Sequence, residues 1–172
     1  IDNGDFDDAD IFVDRLLNIG RTPHIKEDST SQRPEDYEMV HYQPTRISEI
    51  LTMIEAINLN ENDTLCDIGA GLGRVPMITN VLTGAKSIGI EYQPIYTKYA
   101  QERKQELGLD DVVFENIDAR DADFSRANVF YMFNPFVGDI LENVTEKLRE
   151  EAKKRKIKIC TVNMEKFHGR NC

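Results

Sequence analysis

At 172 residues the chain is sized for one domain with its own core. It carries 21 Lys and Arg against 31 Asp and Glu, a formal net charge of −10, so its overall field repels nucleic acid and anionic membranes and suits a basic or neutral partner. No apolar stretch approaches the ~18 residues of a membrane span, and Cys66, Cys160 and Cys172 show neither CxxC nor Cys/His ligand spacing, so no metal ligand set is expected and they read as packed or free thiols.

Residues 1–7 are acidic and polar. Residues 8–19 have helical periodicity, with Phe12, Leu16 and Ile19 on one stripe. Residues 20–44 are polar and proline-punctuated without a sustained period, which predicts an irregular loop of a length associated with function or disorder. From Thr45 onward, Ile47, Ile50, Leu51, Ile54 and Ile57 mark an amphipathic helix. Strands follow at 63–68, 86–92, 112–118, 127–134 and 156–162, with helices at 73–83, 94–107 and 137–154. Ile140, Leu141, Val144 and Leu148 face inward on the last helix. The link at 119–126 is too short for a full helix. This alternation predicts an α/β fold: a Rossmann-like, doubly wound, mainly parallel sheet with helices on both faces, preceded by N-terminal helices. Its ligand belongs beyond the carboxyl ends of the strands. The reading divides the chain into an N-terminal helix and covering loop, 1–44, and a nucleoside-binding domain, 45–172.

The stretch "LCDIGAGLGR", 65–74, carries the chemistry. Gly69, Gly71 and Gly73 form G-x-G-x-G, and Arg74 stands where the dinucleotide fingerprint has its last glycine. Backbone N–H groups at a helix start suit a pyrophosphate, but Asp67, two residues ahead, opposes an anion. The same carboxylate suits a cationic ligand. S-adenosylmethionine (SAM) has an ammonium, a sulfonium and no phosphate, so Asp67 is expected at the mouth of the turn facing its cationic end. Glu91 ends the second strand, 24 residues on, where a carboxylate can accept from both ribose hydroxyls.

"LCDIGAGLGR" followed by "SIGIEY" resembles the first two motifs of the class I, seven-β-strand SAM-dependent methyltransferases, over residues 40–162 or so. The resemblance implies cofactor binding by Asp67, Gly69, Ala70, Gly71, Gly73, Glu91 and Tyr92. It also implies an acid at the end of the third strand on the adenine amine, which "ENIDARD" places at Asp118, with Ala119 beside the ring. "YQPT", 42–45, is similar to a segment of the lysine methyltransferases of this class, including the non-SET histone lysine family. By that likeness Tyr42 and Thr45 contact the cofactor; alternatively Thr45 is a helix N-cap and Tyr42 a packing residue.

The fourth strand ends "YMFNPF". Family members that methylate nitrogen often carry Asn/Asp-Pro-Pro-aromatic here, and this chain has Asn134, Pro135 and Phe136, one proline fewer. An asparagine oxygen can accept the N–H groups of an amine and aim its lone pair, while proline stiffens the turn without a competing donor. Tyr42, Asn134, Pro135 and Phe136 are thus the candidate catalytic set, with Asn134 also beside the cofactor. The bland alternative is a plain turn with Phe136 in the core. His24, His41 and His168 read as surface residues, Asp121 and Asp123 as solvated loop charges, and "KKRK", 153–156, as a solvated helix end.

The expected activity is methyl transfer from SAM to an amine, a protein lysine first. A small-molecule N- or O-methyltransferase or a non-catalytic SAM-binding domain are the alternatives. The expected partner is a protein with a basic segment or a small-molecule amine, with no nucleic acid and no membrane. The class normally has seven strands, and only "NMEKFHGRNC" follows the fifth here, so the sheet is expected to show an open apolar edge through which the chain could oligomerise. The default location is cytoplasmic, with the nucleus left open.

Overall fold

The computed structural model describes residues 8–19 and 42–162. Five strands form one sheet in the order β3-β2-β1-β4-β5, and all four neighbouring pairs are parallel. They are β1 (Thr64–Ile68), β2 (Lys86–Glu91), β3 (Val112–Asn116), β4 (Val129–Phe133) and β5 (Lys158–Val162). Successive strand residues point to opposite faces. Leu65, Val112, Phe114, Val129 and Tyr131 therefore join one core cluster, and Cys66, Ile68, Ile88, Ile90, Phe130 and Met132 the other. A sheet covered on both sides needs apolar residues in both registers, which is why these strands read as continuous apolar runs.

On the first face lie α1 (Asp8–Leu16), α2 (Ile47–Ile57), α3 (Arg74–Thr83) and α4 (Pro94–Glu106). On the second lies α5 (Gly138–Lys154), whose Ile140, Leu141, Val144 and Leu148 are all buried, as the periodicity predicts. The 119–126 link contains one 3-10 turn, Phe124–Arg126, started by the Asp123 carboxylate accepting from Ser125 N at 2.9 Å. Arg155, in the basic run, is not simply solvated: it donates to the carbonyls of Ala127 (2.5 Å) and Phe124 (2.7 Å), tying the end of α5 to that turn.

The strand order reverses between β1 and β4, so a crevice opens beyond their carboxyl ends. The register Asp67↔Tyr131 brings the glycine turn after β1 beside the Asn134–Pro135 turn after β4. Among the described residues β5 is one edge strand of the sheet, and Ile159 on it is exposed. No helix among the described residues is long and apolar enough to cross a membrane.

Three expectations need correction. Of the stripe expected on the first helix, Phe12 and Leu16 turn outward, 66% and 61% exposed, while Ile19 is buried just past the end of α1 and Asp10 and Asp14 are buried on it. The acidic face finds a guanidinium inside, and that electrostatic demand overrides the apolar period. On α2, Leu51 is exposed and Met53 is buried instead. β3 stops at Asn116, because its partner β2 ends opposite it at Glu91.

Candidate active site

The turn after β1 hangs from β2: the amides of Gly69 and Ala70 both donate to the Ile90 carbonyl at 2.9 Å. Gly69 (φ +87°) and Gly71 (φ +53°) take left-handed conformations that side chains disfavour. Each also allows a close approach. A Cβ on Gly69 would lie 2.4 Å from Cβ of Pro135, and one on Gly71 would lie 2.3 Å from Cε2 of Tyr42. The two turns of the crevice and the 42–45 segment therefore meet at these glycines. Gly71→Ala should displace Tyr42 and cost about 1–3 kcal/mol in strain and overpacking, read as a lowered melting temperature.

Glu91 is held by the turn it faces. One carboxylate oxygen accepts from Gly71 N at 2.8 Å and the other from Gln93 N at 2.7 Å. Burial raises its pKa, and those backbone donors oppose the rise. Each oxygen retains a lone pair for another donor. Asn116, which sequence reasoning missed, donates to the carbonyls of Glu91 (3.0 Å) and Tyr92 (2.7 Å) and so fixes the end of β2.

Asp67 was expected open at the mouth of the turn. It is covered, 3% exposed, and among the described residues its carboxylate receives no hydrogen bond and no ion pair. Burial, and then the neighbouring Glu91, push its pKa up to about 8. Tyr42 supplies part of the surroundings. Its ring lies against Gly71 and tilts over Tyr96 at 5.7 Å, and its hydroxyl is enclosed without a partner among the described residues. Burial and the nearby Asp67 raise the phenol's pKa, so it stays a donor. Thr45 does not cap α2. It is buried, and its hydroxyl accepts from Tyr131 OH at 3.3 Å, an anchor on β4 that the sequence did not reveal.

Around the β4 end, Asn134 sits at φ +40°, half-buried, with no hydrogen bond to its side chain among the described residues. Pro135 packs on Gly69. Phe136 is 4% exposed in the α5-side cluster, so its ring is core and Val137 takes the exposed place beside it. Asp118 lies two residues past β3 with its carboxylate engaged by Arg120: Arg120 N, Nε and Nη2 donate at 2.8, 3.0 and 2.7 Å. These hydrogen bonds hold its pKa below the usual range. Ala119 is buried beside it. No metal-binding group of His, Cys, Asp and Glu occurs among the described residues. Residues 20–41, most of the expected loop 20–44, and all three histidines lie outside them.

Asp67, unpartnered, is chemically suited to a cation, and Glu91, pre-oriented by the turn, to a diol. Both features fit SAM, with its cationic methionine end and its ribose.

Residues 59–136 match the family model of the methyltransferase domain. A crystal structure of an RNA methyltransferase from Salinibacter ruber in complex with S-adenosyl-L-homocysteine is similar at 30% identity and a TM-score of 0.58, over 63% of this chain and 70% of that one. A SAM-dependent methyltransferase from Geobacter sulfurreducens shares the fold at 24% identity and a TM-score of 0.51, over 64% of this chain and 47% of that one. A histone-lysine N-methyltransferase, H3 lysine-79 specific, from Dictyostelium discoideum is 30% identical over 118 residues, which is 60% of this chain and 6% of that protein. This chain thus carries a methyltransferase domain with the fold of the class I SAM-dependent enzymes.

Proposed function

We propose that the domain binds SAM and methylates an amine, a protein lysine side chain first among acceptors. The observation that carries this reading is Asp67, a buried carboxylate without a partner, set between Tyr42, Glu91 and the glycine turn. SAM supplies an electrophilic methyl group on a sulfonium. Asp67 receives the methionine ammonium and Glu91 accepts from the ribose hydroxyls. Asn134, strained into the left-handed region with a free side chain, accepts the N–H groups of the amine and orients it. Lysine, with a reference pKa of about 10.4, must arrive neutral, and desolvation of the amine on docking lowers that pKa by disfavouring the ammonium. Asp118 and Ala119 would hold the adenine, and the Arg120 pair must yield if Asp118 is to accept the adenine amine.

The likeness to the Dictyostelium histone methyltransferase supports a lysine acceptor, as does a net charge of −10, which attracts basic protein segments. RNA is the second reading, favoured by the Salinibacter likeness and opposed by the same charge.

The test is transfer of labelled methyl from SAM to basic proteins, RNA and small amines. Label on lysine is expected. Asn134→Ala should reduce transfer at least about 10-fold with SAM binding retained, because the acceptor loses its alignment. Asn134→Gly, which relieves the backbone strain and also lacks the acceptor oxygen, should be equally slow. Label on RNA or on small amines alone would replace the lysine reading, and binding without transfer to any acceptor would mark a SAM-binding domain without turnover.

A further inference from the structure

Arg74 is the largest fully buried side chain among the described residues, 2% exposed, at the first position of α3 directly after the glycine turn. A guanidinium removed from water requires anionic partners. It has two, Asp10 and Asp14, both buried on α1 and one turn apart, a spacing that sets both carboxylates on one face. The same Asp10 oxygen that meets Arg74 also accepts from Ile47 N at 2.8 Å.

Ile47 is the first residue of α2, and the opening amides of a helix have no acceptor within it. Thr45 has turned its hydroxyl to Tyr131, and the Glu49 carboxylate closes a capping box by accepting from Arg46 N at 3.0 Å, which leaves Ile47 N to find its acceptor elsewhere. The acceptor for this first helical amide therefore comes from 37 residues upstream. One carboxylate joins the residue that follows the glycine turn to the helix that follows Tyr42–Thr45. Tyr42 in turn rests on Gly71, inside the span so joined. A further tie holds α1 in place, since Tyr99 of α4 donates to the Asn18 carbonyl just past it.

We propose that the Asp10–Arg74–Asp14 cluster is a clasp through which α1 holds the Tyr42–Thr45 segment over the glycine turn, which makes these three charges positioning residues for cofactor binding. The consequence for affinity rests on the SAM reading; the consequence for the segment does not. A cover in place for only a tenth of the time weakens apparent affinity about 10-fold without any lost contact to ligand.

The experiment compares three variants with the unaltered chain by amide hydrogen exchange over residues 42–47, SAM calorimetry and thermal melting. Asp10→Leu/Asp14→Leu/Arg74→Met removes every charge of the cluster, so no charge is left buried alone. It should speed exchange at Ile47 and weaken SAM about 10-fold while melting near the unaltered chain. Asp10→Asn keeps an acceptor for Ile47 and should stay within about threefold in affinity. Should the triple variant fail to fold, Asp10→Ala removes the acceptor, leaves the Asp14–Arg74 pair and reads the same exchange. Unchanged exchange over 42–47 in the variants that lack the acceptor, or affinities that merely follow melting temperature, would overturn the clasp. If the unaltered chain does not bind SAM, the cofactor reading fails by itself, and the exchange comparison still decides the clasp.

Discussion

Asp67→Asn is expected to weaken SAM binding about 10–150-fold and, at pH 8 and above, to make the ligand-free protein more stable. The two effects have opposite signs because the carboxylate is buried for a ligand's benefit. In the unfolded chain its pKa is 3.8, and in the folded chain it is about 8. Between those values the folded state holds a proton that the unfolded state has lost. The contribution of Asp67 to stability is therefore fully present below pH 4 or so, declines as pH rises through the window, and is gone above the folded pKa. Each pH unit across the window costs about 1.4 kcal/mol at most. Asn cannot ionise, so the variant lacks this slope. Denaturant unfolding at pH 5, 7 and 9 measures the difference, and parallel pH profiles for the two proteins would show that Asp67 is not the group responsible.

The ligand side follows from the same shift. A cation beside Asp67 favours the carboxylate, so binding below pH 8 must expel a proton. SAM affinity should accordingly rise between pH 6 and 8 in the unaltered protein. Calorimetry in buffers of different ionisation enthalpy should detect release approaching about one proton at the acidic end. An Asp67→Asn variant that still bound SAM within about threefold of the unaltered chain would remove the foundation of the proposed function, since a lost charged hydrogen bond costs about 1.5–3 kcal/mol.

Glu91→Ala has the second-largest expected effect. It strips the acceptor from Gly71 N and Gln93 N at once. Leaving those donors unpaired costs about 1–3 kcal/mol each, and more for Gly71 N, which is buried. Loss of the ribose acceptor should weaken SAM about 10–100-fold. The titration of Asp67 should also move down, because the Glu91 charge is one cause of its elevation. Glu91→Gln separates the contributions: it retains an acceptor for one amide but not the charge, so Asp67 shifts while less stability is lost. An NMR titration of Asp67 that did not move in either variant would show that the two acids are not coupled.

Much of this molecule is legible in the order of its residues. Apolar runs of five or six residues, each followed by a helical period, imply parallel strands under helices, and all five strands and the four later helices stand within a few residues of where that logic puts them. The three alternating glycines imply a turn with repeated positive φ, and Gly69, Gly71 and Gly73 all have it. These are local properties: a dihedral requirement or a hydrophobic period is satisfied by the segment that carries it.

What the tertiary structure alone decided is the identity of distant partners. Phe12 and Leu16 read as an inward stripe, yet α1 turns its acids inward, because Arg74, 64 residues from Asp10, supplies the charge that makes their burial tolerable. Thr45 has the chemistry of an N-cap, yet its hydroxyl meets Tyr131, 86 residues away, and the first amide of the helix, Ile47 N, is taken by Asp10. Phe136 could wall an acceptor or fill a core, and the α5 side chains that claim it decide for the core. A side chain's polarity states what kind of partner it requires, but which partner it meets depends on the packing of segments far apart in the chain, and no period or motif within a window of residues records that packing.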